Sequence, residues 1–300
     1  MQSNDQKTPM TSTYSIVGYE PETEKLGVAA QSKFLAIGSI LPYIKWNVGA
    51  VATQAQINPT YGPSTLQLLE RGNDPEEILE TLTALDSGSV LRQVGIVDAK
   101  GRSATYTGEQ CIEWAGGKCG ENYAAQGNLL VNGETIEEMV KTFKTEEGSL
   151  ADRLLSSLFA AEEAGGDRRG KQSASLLVYK EGGGYGGFTN KYIDLRVDDS
   201  EKPIEDLADL LELFKLYYVE SDVEHTPLEG DTLCEVQILL SDLGYYKGEP
   251  SCVFDEKFSQ ALIDFYHQED FEQRYPGENT IPQDILKYLR ERVRINNIIF

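Results

Sequence analysis

Residues 13–34 have the sequence TYSIVGYEPETEKLGVAAQSKF, and the fold class is best predicted from here. Residues 14–19 follow the two-residue period of a β-strand. Residues 21–25 have the composition of a turn, and residues 26–34 continue as a returning strand. The stretch therefore predicts an antiparallel hairpin with Thr13 at the head of its first strand.

Blocks of strands and helices follow this hairpin. Further strands are predicted at residues 43–46, 49–56, 92–98, 102–107, 173–179 and 192–197. Helices are predicted at residues 62–71, from 74 onward, at 134–143, 150–164 and 203–218. Because the order is not a strict β-α-β alternation, we predict an α+β fold in which two antiparallel sheets pack together with helices outside.

The C-terminal part of the chain has a different pattern. Residues 220–230 are mostly polar and predict a linker. Beyond the linker, apolar residues recur at helical spacing in 231–243, 255–267 and 282–293. We therefore predict a first domain at 13–219 and a small acidic helical domain at 231–300.

Charge and apolar content exclude several classes of protein. The 300-residue chain carries 49 acidic against 27 basic residues, a net charge of −22, which disfavours nucleic acid and anionic membrane surfaces as partners. No stretch approaches the roughly 18–20 apolar residues of a bilayer span. The first twelve residues lack the apolar core of a secretion signal. We therefore expect a cytoplasmic protein that binds neither membranes nor nucleic acids.

Histidine is nearly absent from the sequence. The two histidines are His225 and His267, so residues 1–224 contain none. A Ser-His-Asp or Cys-His triad and a histidine-based zinc site are therefore impossible in the first domain. A hydrolase in this domain must use a base other than imidazole, and we expect neither a metal nor a cofactor.

The four cysteines form no C-x-x-C pair, so a zinc ribbon or thioredoxin motif is unsupported. In a reducing compartment we expect all four to be free thiols. A bridge between Cys234 and Cys252 would require an exported protein.

A catalytic function of the first domain would depend on Thr13. A threonine at the head of a strand is usually only a β-branched strand residue. A threonine hydroxyl can also act as a nucleophile when its own free α-amine serves as the base, and this arrangement needs no imidazole. It requires the chain to begin at Thr13, so residues 1–12 would be an extension or propeptide that is removed.

Seven segments of the first domain resemble a known family. They are residues 13–17, 31–34, 49–54, 58–63, 92–98, 125–128 and 166–174, and the last of them, GDRRGKQSA, is the most specific. The family that they resemble is a bacterial family of domains of unknown function, number ten twenty-eight in that series, placed among the N-terminal nucleophile (Ntn) hydrolases. The resemblance covers about residues 13–218.

The resemblance implies a four-layer αββα sandwich and an amidohydrolase that cleaves a small amide or peptide bond with Thr13. Family members often begin with Met directly before the position of Thr13, whereas this chain carries twelve extra residues. A start at Met10 would expose Thr11 instead, and Ser15 is a further candidate nucleophile. The alternative function is a non-catalytic binding or scaffold protein on an Ntn-like fold. We also expect a homo-oligomer.

The C-terminal domain has a resemblance of its own. Residues 235–237, 243–246 and 254–256 are similar to a peptidoglycan-binding-like domain often appended to that family. This resemblance implies that residues 231–300 could contact a peptidoglycan fragment.

The remaining roles follow from what the reaction requires. A cation near the nucleophile would favour a free amine, and Lys33 is the natural choice, with Lys45 as the alternative. The loop after residue 165 should bring Asp167 or an arginine within about one side-chain length of the Thr13 hydroxyl, in a cleft. The candidate catalytic residues are Thr13, Lys33, Asn128 and Asp167, and the candidate substrate-binding residues are Asn58, Arg168, Arg169, Gln172 and Ser173.

Two of these assignments rest on specific chemistry. Arg168 or Arg169 could hold a substrate carboxylate through a bidentate contact. Asn128 and Ser173 could donate the fixed hydrogen bonds of an oxyanion hole. For each of these side chains, ordinary structural hydrogen bonding is the competing interpretation.

Overall fold

The structure is a computed structural model that describes residues 11–218, 224–277 and 279–299. Residues 1–10 of the predicted extension, including the alternative start at Met10, lie outside the described residues, as do residues 220–223 of the predicted linker. The chain divides into two compact units between Leu210 and Leu211. Each unit is described by itself.

The first unit is a mixed α/β structure with antiparallel sheets. Its strands are β1 (Thr13–Glu20), β2 (Lys25–Ser32), β3 (Pro42–Lys45), β4 (Gly49–Ala55), β5 (Arg92–Asp98), β6 (Ser103–Thr107), β7 (Gly116–Gly120), β8 (Tyr123–Asn128), β9 (Ser173–Tyr179) and β10 (Lys191–Val197). One sheet has the order β10-β9-β2-β1-β8-β7, and the other has the order β3-β4-β5-β6. The predicted hairpin is present as β1 and β2, with Thr13 opposite Ser32.

Two helix pairs cover the two sheets. The helices are α1 (Tyr61–Glu70), α2 (Pro75–Leu85), α3 (Glu134–Thr145), α4 (Leu150–Glu163) and α5 (Pro203–Tyr218). The first pair, α1 and α2, packs on the four-stranded sheet, and the second pair, α3 and α4, packs on the six-stranded sheet. The expected helix start before α2 is present, because the Asp74 side chain accepts a hydrogen bond from the backbone N–H of Glu76 at 3.0 Å.

Glycines in β1 and β2 allow α3 and α4 to approach the sheet closely. A Cβ atom at Gly18 would lie 2.8 Å from the ring of Phe143, and one at Gly27 would lie 2.5 Å from Leu154. Because side chains alternate along a strand, these glycines place one face of β1 and β2 against helices and leave the other face toward the second sheet.

The space between the two sheets is apolar at one end and polar at the other. The apolar part is a cluster of fully buried small and branched side chains, which includes Val17, Val28, Ala30, Ala50, Ala52, Val97 and Ala124. The polar part begins at Thr13 and is also buried. Burial of polar groups is unfavourable unless they are hydrogen-bonded, so this end of the first unit is the natural place to look for a site.

The second unit is mainly helical, as the sequence predicts. It contains α6 (Gly230–Asp242), α7 (Glu256–Gln268), α8 (Gln283–Ile299) and two short paired strands, β11 (His225–Pro227) and β12 (Thr280–Pro282). Its core is built on buried aromatic rings, among them Phe258, Phe265 and Phe271. No helix among the described residues has the length and apolarity that a bilayer span requires.

The end of α5 belongs to the second unit rather than to the first domain that the sequence predicts to end at residue 219. The ring of Tyr217 stacks on Phe271 with centroids 4.8 Å apart, and Leu216 packs against the same aromatic core. The apolar end of the helix is therefore part of the second core, and this places the division within α5.

Cys234 and Cys252 form a disulfide, so the expectation of four free thiols is wrong for this pair. Gln237 of α6 explains their proximity. Its buried side chain donates to the carbonyl of Val253 at 2.8 Å and accepts from the N–H of Cys252 at 2.8 Å. These bonds hold the segment against α6, with the two cysteine Cα atoms 4.4 Å apart. Cys111 and Cys119 are free.

Replacing both Cys234 and Cys252 by Ser is expected to lower the stability of the second unit by about 3 kcal/mol, because the disulfide restricts the unfolded chain. Denaturant unfolding with and without reductant measures this difference. A Cys119→Ser variant is the matched control and should unfold like the unaltered protein. Identical unfolding of the double variant and the parent would show that the bridge contributes no stability.

Candidate functional site

Thr13 is at the centre of the polar end of the first unit. It is the first residue of β1, the strand that lies between β2 and β8, and it stands opposite Ser32 on one side and Asn128 on the other. Its side chain is fully buried. The hydroxyl oxygen lies 3.0 Å from the Ser32 hydroxyl oxygen, within hydrogen-bonding distance.

Residues 11 and 12 cover this threonine. The backbone N–H and the hydroxyl of Thr11 both donate to the carbonyl of Ala55 at 3.0 Å. The Ser32 hydroxyl also hydrogen-bonds to the carbonyl of Ser12. With Thr11 and Ser12 both buried, the expected cleft is closed over Thr13, whose nitrogen is part of a peptide bond.

A layer of hydrogen-bonded glutamines fills the space behind Thr13. The amide of Gln54 donates to the side-chain oxygen of Gln93 at 2.8 Å and to the carbonyl of Thr13 at 3.2 Å. The Ser15 hydroxyl donates to Gln54 at 2.5 Å and accepts from Gln126 at 2.7 Å. Ser15 is therefore held within this layer, which disfavours it as the alternative nucleophile.

Gly95 makes room for the glutamine layer. A Cβ atom at Gly95 would lie 2.0 Å from the side-chain oxygen of Gln126, so a larger residue in β5 would displace that amide. The three glutamines are the residues that sequence reasoning missed. They lie in the strand sequences VATQA for Gln54, RQVGI for Gln93 and YAAQGN for Gln126, and no one of these sequences indicates that the three side chains meet.

The side-chain amide of Asn128 has one polar atom that is hydrogen-bonded and one that is not. Its Nδ2 donates to the side-chain oxygen of Gln93 at 3.0 Å. Its Oδ1 is buried and has no hydrogen-bond partner among the described residues. An unpaired buried carbonyl oxygen is unfavourable, so the site is complete only when a donor reaches this oxygen.

The loop after α4 reaches the same edge as Thr13. Asp167 is buried, and its carboxylate accepts from the N–H of Lys33 at 2.9 Å and from the N–H of Arg169 at 2.9 Å. The Arg169 guanidinium donates to the carbonyl of Lys33 at 3.2 Å. Asp167 and Arg169 thus brace the chain immediately after Ser32, which is the contact of Thr13.

The structure does not bring the Lys33 ammonium to Thr13. Side chains alternate along a strand, so Ser32 faces Thr13 and the next residue turns outward. The exposed Lys33 ammonium donates to the carbonyl of Lys171 at 3.2 Å. The alternative cation, Lys45, is also exposed and pairs with Glu70 at 2.5 Å.

Three candidate substrate-binding residues have structural partners instead. The Ser173 hydroxyl donates to the carbonyl of Phe34 at 2.6 Å and accepts from the N–H of Ile37 at 3.1 Å. Gln172 donates to Asp199 at 3.0 Å. Arg168 is exposed and donates to the carbonyl of Leu130 at 3.3 Å. These contacts fix loops around the site and leave no oxyanion role for Ser173.

Asn58 belongs to a separate network at the start of α1. Its side-chain oxygen accepts from the N–H of Thr60 at 3.1 Å, and its amide donates to Asp86 at 3.2 Å. The hydrogen bond from the Arg92 side chain holds the pKa of Asp86 well below its usual value. Asn58 therefore stabilises the turn before α1 and is held there by the Asp86 carboxylate. The structure does not place Asn58 beside Thr13.

Tyr14 lies on the opposite face of β1 from Thr13. Its hydroxyl donates to the Glu162 carboxylate at 2.8 Å. Burial, followed by the charge of Glu162, raises the pKa of Tyr14 well above its usual value. The phenol therefore stays protonated near neutral pH and cannot serve as the base for Thr13.

The site as a whole is a buried cluster of hydroxyls and amides without an ionised group directly on Thr13 among the hydrogen bonds of the described residues. The described residues also contain no group of three or more His, Cys, Asp or Glu side chains that could hold a metal ion. Such a cluster can orient a hydroxyl and polarise a carbonyl, but it needs an added base to activate a nucleophile.

Comparisons with known proteins agree with this division of the chain. The model of a "Family of unknown function (DUF1028)" matches residues 13–207, and one described as "Putative peptidoglycan binding domain" matches residues 217–289. The crystal structure of protein SPO2555 from Silicibacter pomeroyi, itself described by DUF1028, is 28% identical over 74% of this chain and 92% of that chain, with a TM-score of 0.62. Among curated proteins there is no match.

Proposed function

The chain belongs to the family of unknown function DUF1028, and from this we propose that its first unit is an Ntn-type amidohydrolase. The proposal includes a four-layer αββα sandwich for the two sheets and their helix pairs. Thr13 is the nucleophile, and it becomes competent when residues 1–12 are removed. The substrate is a small amide or peptide.

The hydroxyl contact of Thr13 is the observation that supports the proposal most. A threonine at the very start of a central strand has its hydroxyl 3.0 Å from a second hydroxyl, inside a layer of buried amides. Burying this many polar groups is costly, so a packing role alone would favour apolar residues here. No histidine is within reach in this unit, which leaves the α-amine as the base.

In the proposed hydrolysis, the hydroxyl and the α-amine of Thr13 carry each proton that is transferred. The Thr13 hydroxyl oxygen bonds to the substrate carbonyl carbon while its proton passes to the α-amine of the same residue. The C–N bond then breaks, and the α-ammonium returns that proton to the leaving amine. Water attacks the resulting ester and gives one proton to the α-amine. The freed Thr13 oxygen takes this proton back, and the acid product leaves.

Ser32 and Asn128 would position the reacting groups. Ser32 holds the Thr13 hydroxyl from the neighbouring strand, at 3.0 Å. The unpartnered Oδ1 of Asn128 would accept a hydrogen bond from the α-amine of Thr13, since the two residues stand opposite each other. This bond would direct the nitrogen lone pair toward the hydroxyl proton. Asn128 would then orient the base rather than stabilise an oxyanion.

The pH dependence of turnover tests the role of the α-amine. Protein engineered to begin at Thr13 is assayed against a panel of small amides and dipeptides. Because only the neutral amine can accept a proton, kcat/KM should fall as pH drops below the α-amine pKa of roughly 7.7–8.0. A flat profile from pH 6 to 9 for a hydrolysed substrate would exclude the amine as the base.

The alternative is a non-catalytic binding or scaffold protein on the same fold. It is favoured by the buried and hydrogen-bonded state of Thr11 and Ser12, which leaves no accessible nucleophile while the extension is attached. Under this alternative, protein beginning at Thr13 would be inert toward every amide in the panel.

For the second unit we propose contact with a peptidoglycan fragment, supported by the family match at residues 217–289. A pocket of about 400 Å³ between the segment that follows α6 and the C-terminal end of α7 is the suggested location, because Tyr245 and His267 line it together with Lys247 and Asp264. Co-sedimentation of the full chain with purified peptidoglycan tests this proposal, and a His267→Ala variant should bind less. The homo-oligomer stays a prediction, and so does the cytoplasmic location, against which the Cys234–Cys252 bridge counts because such bridges persist in oxidising compartments.

A further inference from the structure

A second pocket, of about 560 Å³, lies in the first unit at the other end of the sheets from Thr13. It lies between the β3–β4 turn and the β9–β10 hairpin, where Tyr179 stands opposite Leu26. Ser32, the contact of Thr13, is six residues further along β2, or about 20 Å at the usual rise of a strand. The pocket is therefore separate from the proposed catalytic site, and its volume is in the range of small-molecule sites.

Trp46 contributes an indole ring to this pocket. It lines the pocket, and its indole N–H is buried without a hydrogen-bond acceptor among the described residues. An indole nitrogen can only donate. Because this nitrogen has no accessible surface, Trp46 offers a ligand in the pocket its ring rather than its N–H.

The lining is cationic within a strongly acidic protein. The chain has a net charge of −22, yet Lys45 and Lys191 line the pocket, and among the described residues no carboxylate does. The two ammonium groups pair with Glu70 at 2.5 Å and with Asp194 at 2.7 Å, both outside the lining. An ammonium has three donors, so one ion pair does not exhaust it. The lining therefore favours an anion with acceptor oxygens.

Aromatic rings surround these donors. Trp46, Tyr179 and Tyr185 all line the pocket. Tyr185 is 89% exposed in the glycine-rich tip of the hairpin, where Gly186 and Gly187 have positive φ values of 64° and 77°. Only glycine adopts such values readily, so the loop is shaped to present its aromatic ring at the pocket mouth rather than to pack it. Exposed rings of this kind stack on the flat face of a ligand ring.

We propose that this pocket binds a carboxylate attached to a ring, with the carboxylate between the two lysines and the ring against the tyrosines. An aromatic acid and an acidic sugar share this chemistry. The proposal does not depend on catalysis at Thr13.

Fluorescence of Trp46 measures the binding. The chain has two tryptophans, so a Trp114→Phe variant leaves Trp46 as the single reporter. Titration with sodium benzoate or with glucuronate is expected to change its emission saturably, whereas the neutral analogues benzamide and glucose should not. A response to only one of the two acids identifies the ligand ring. Ligand-observed NMR on the unaltered full chain repeats the test without the substitution.

Lysine variants provide the matched control. Lys45→Gln and Lys191→Gln should each weaken binding about tenfold, because a charge-assisted bond is lost. Lys118→Gln removes an equally exposed ion-paired lysine outside the pocket and should leave the affinity unchanged. The proposal is overturned if neither acid binds saturably, if the neutral analogues bind as tightly, or if the pocket variants behave like Lys118→Gln.

Discussion

Replacing Thr13 by Ala in protein that begins at residue 13 is expected to lower amide hydrolysis by about 10⁴-fold or more, as loss of a nucleophile does in other hydrolases. Alanine keeps the α-amine and the strand but removes the oxygen that would bond to the substrate carbon. A hydrolysis assay on a substrate found with the parent measures this loss. Stability should change little, because the substitution removes only one buried hydrogen bond, to Ser32.

Serine at position 13 is the matched control. It retains the hydroxyl and lacks only the methyl group, so turnover should be reduced but measurable. Thermal unfolding of the Thr, Ser and Ala forms establishes that all three are folded. Equal rates for the Thr and Ala forms would rule out Thr13, and because this protein lacks Thr11, Ser15 would be the next candidate.

Protein that begins at Ser12 is expected to be inactive under conditions in which protein beginning at Thr13 turns over. The two forms differ by a single residue, but in the longer one the nitrogen of Thr13 belongs to an amide and cannot accept a proton. The Ser12 carbonyl also hydrogen-bonds to the Ser32 hydroxyl, so it occupies the place that a substrate carbonyl would need.

Steady-state rates of the two purified forms provide the measurement. The rates should differ by at least about 10³-fold, because the longer form lacks the general base and also blocks the access of substrate to Thr13. N-acetylation of the Thr13-first form is a second way to remove the base without lengthening the strand. Comparable turnover by the Ser12-first form would show that a free α-amine at Thr13 is unnecessary.

The parts of the fold that depend on local sequence were predictable. The hairpin of β1 and β2 follows from the two-residue period and its intervening turn, and the start of α2 follows from the Asp-Pro pair at residues 74 and 75. The mainly helical second unit follows in the same way from helical spacing. In each case the residues that determine the element are close together in the sequence, within one hairpin or a few helical turns.

The sequence analysis named Thr13, with Asn128 and Asp167 near it, but it did not reveal the glutamine layer. Thr13 stands out because the sequence before residue 225 has no histidine. The glutamine layer behind it combines Gln54, Gln93 and Gln126 from three strands in two sheets, and no local pattern specifies such a register. Asp167 reaches the strand end through backbone N–H groups, which leave no trace in the sequence.

The direction in which a side chain points from its strand is the other feature that the sequence did not reveal. Lys33 follows the last residue of β2, and a one-residue shift decides whether its ammonium faces Thr13 or solvent. The pairing of Cys234 and Cys252 depends similarly on Gln237, a buried side chain that fixes a distant segment on α6. Both outcomes require the assembled structure.

Intact-mass analysis of the catalytically active protein tests the central claim most directly. Protein purified by its amide hydrolase activity is analysed by mass spectrometry, and its N-terminal residue is read from the mass. The account predicts a chain that begins at Thr13, with residues 1–12 absent. An active protein that retains any residue before Thr13 would contradict it.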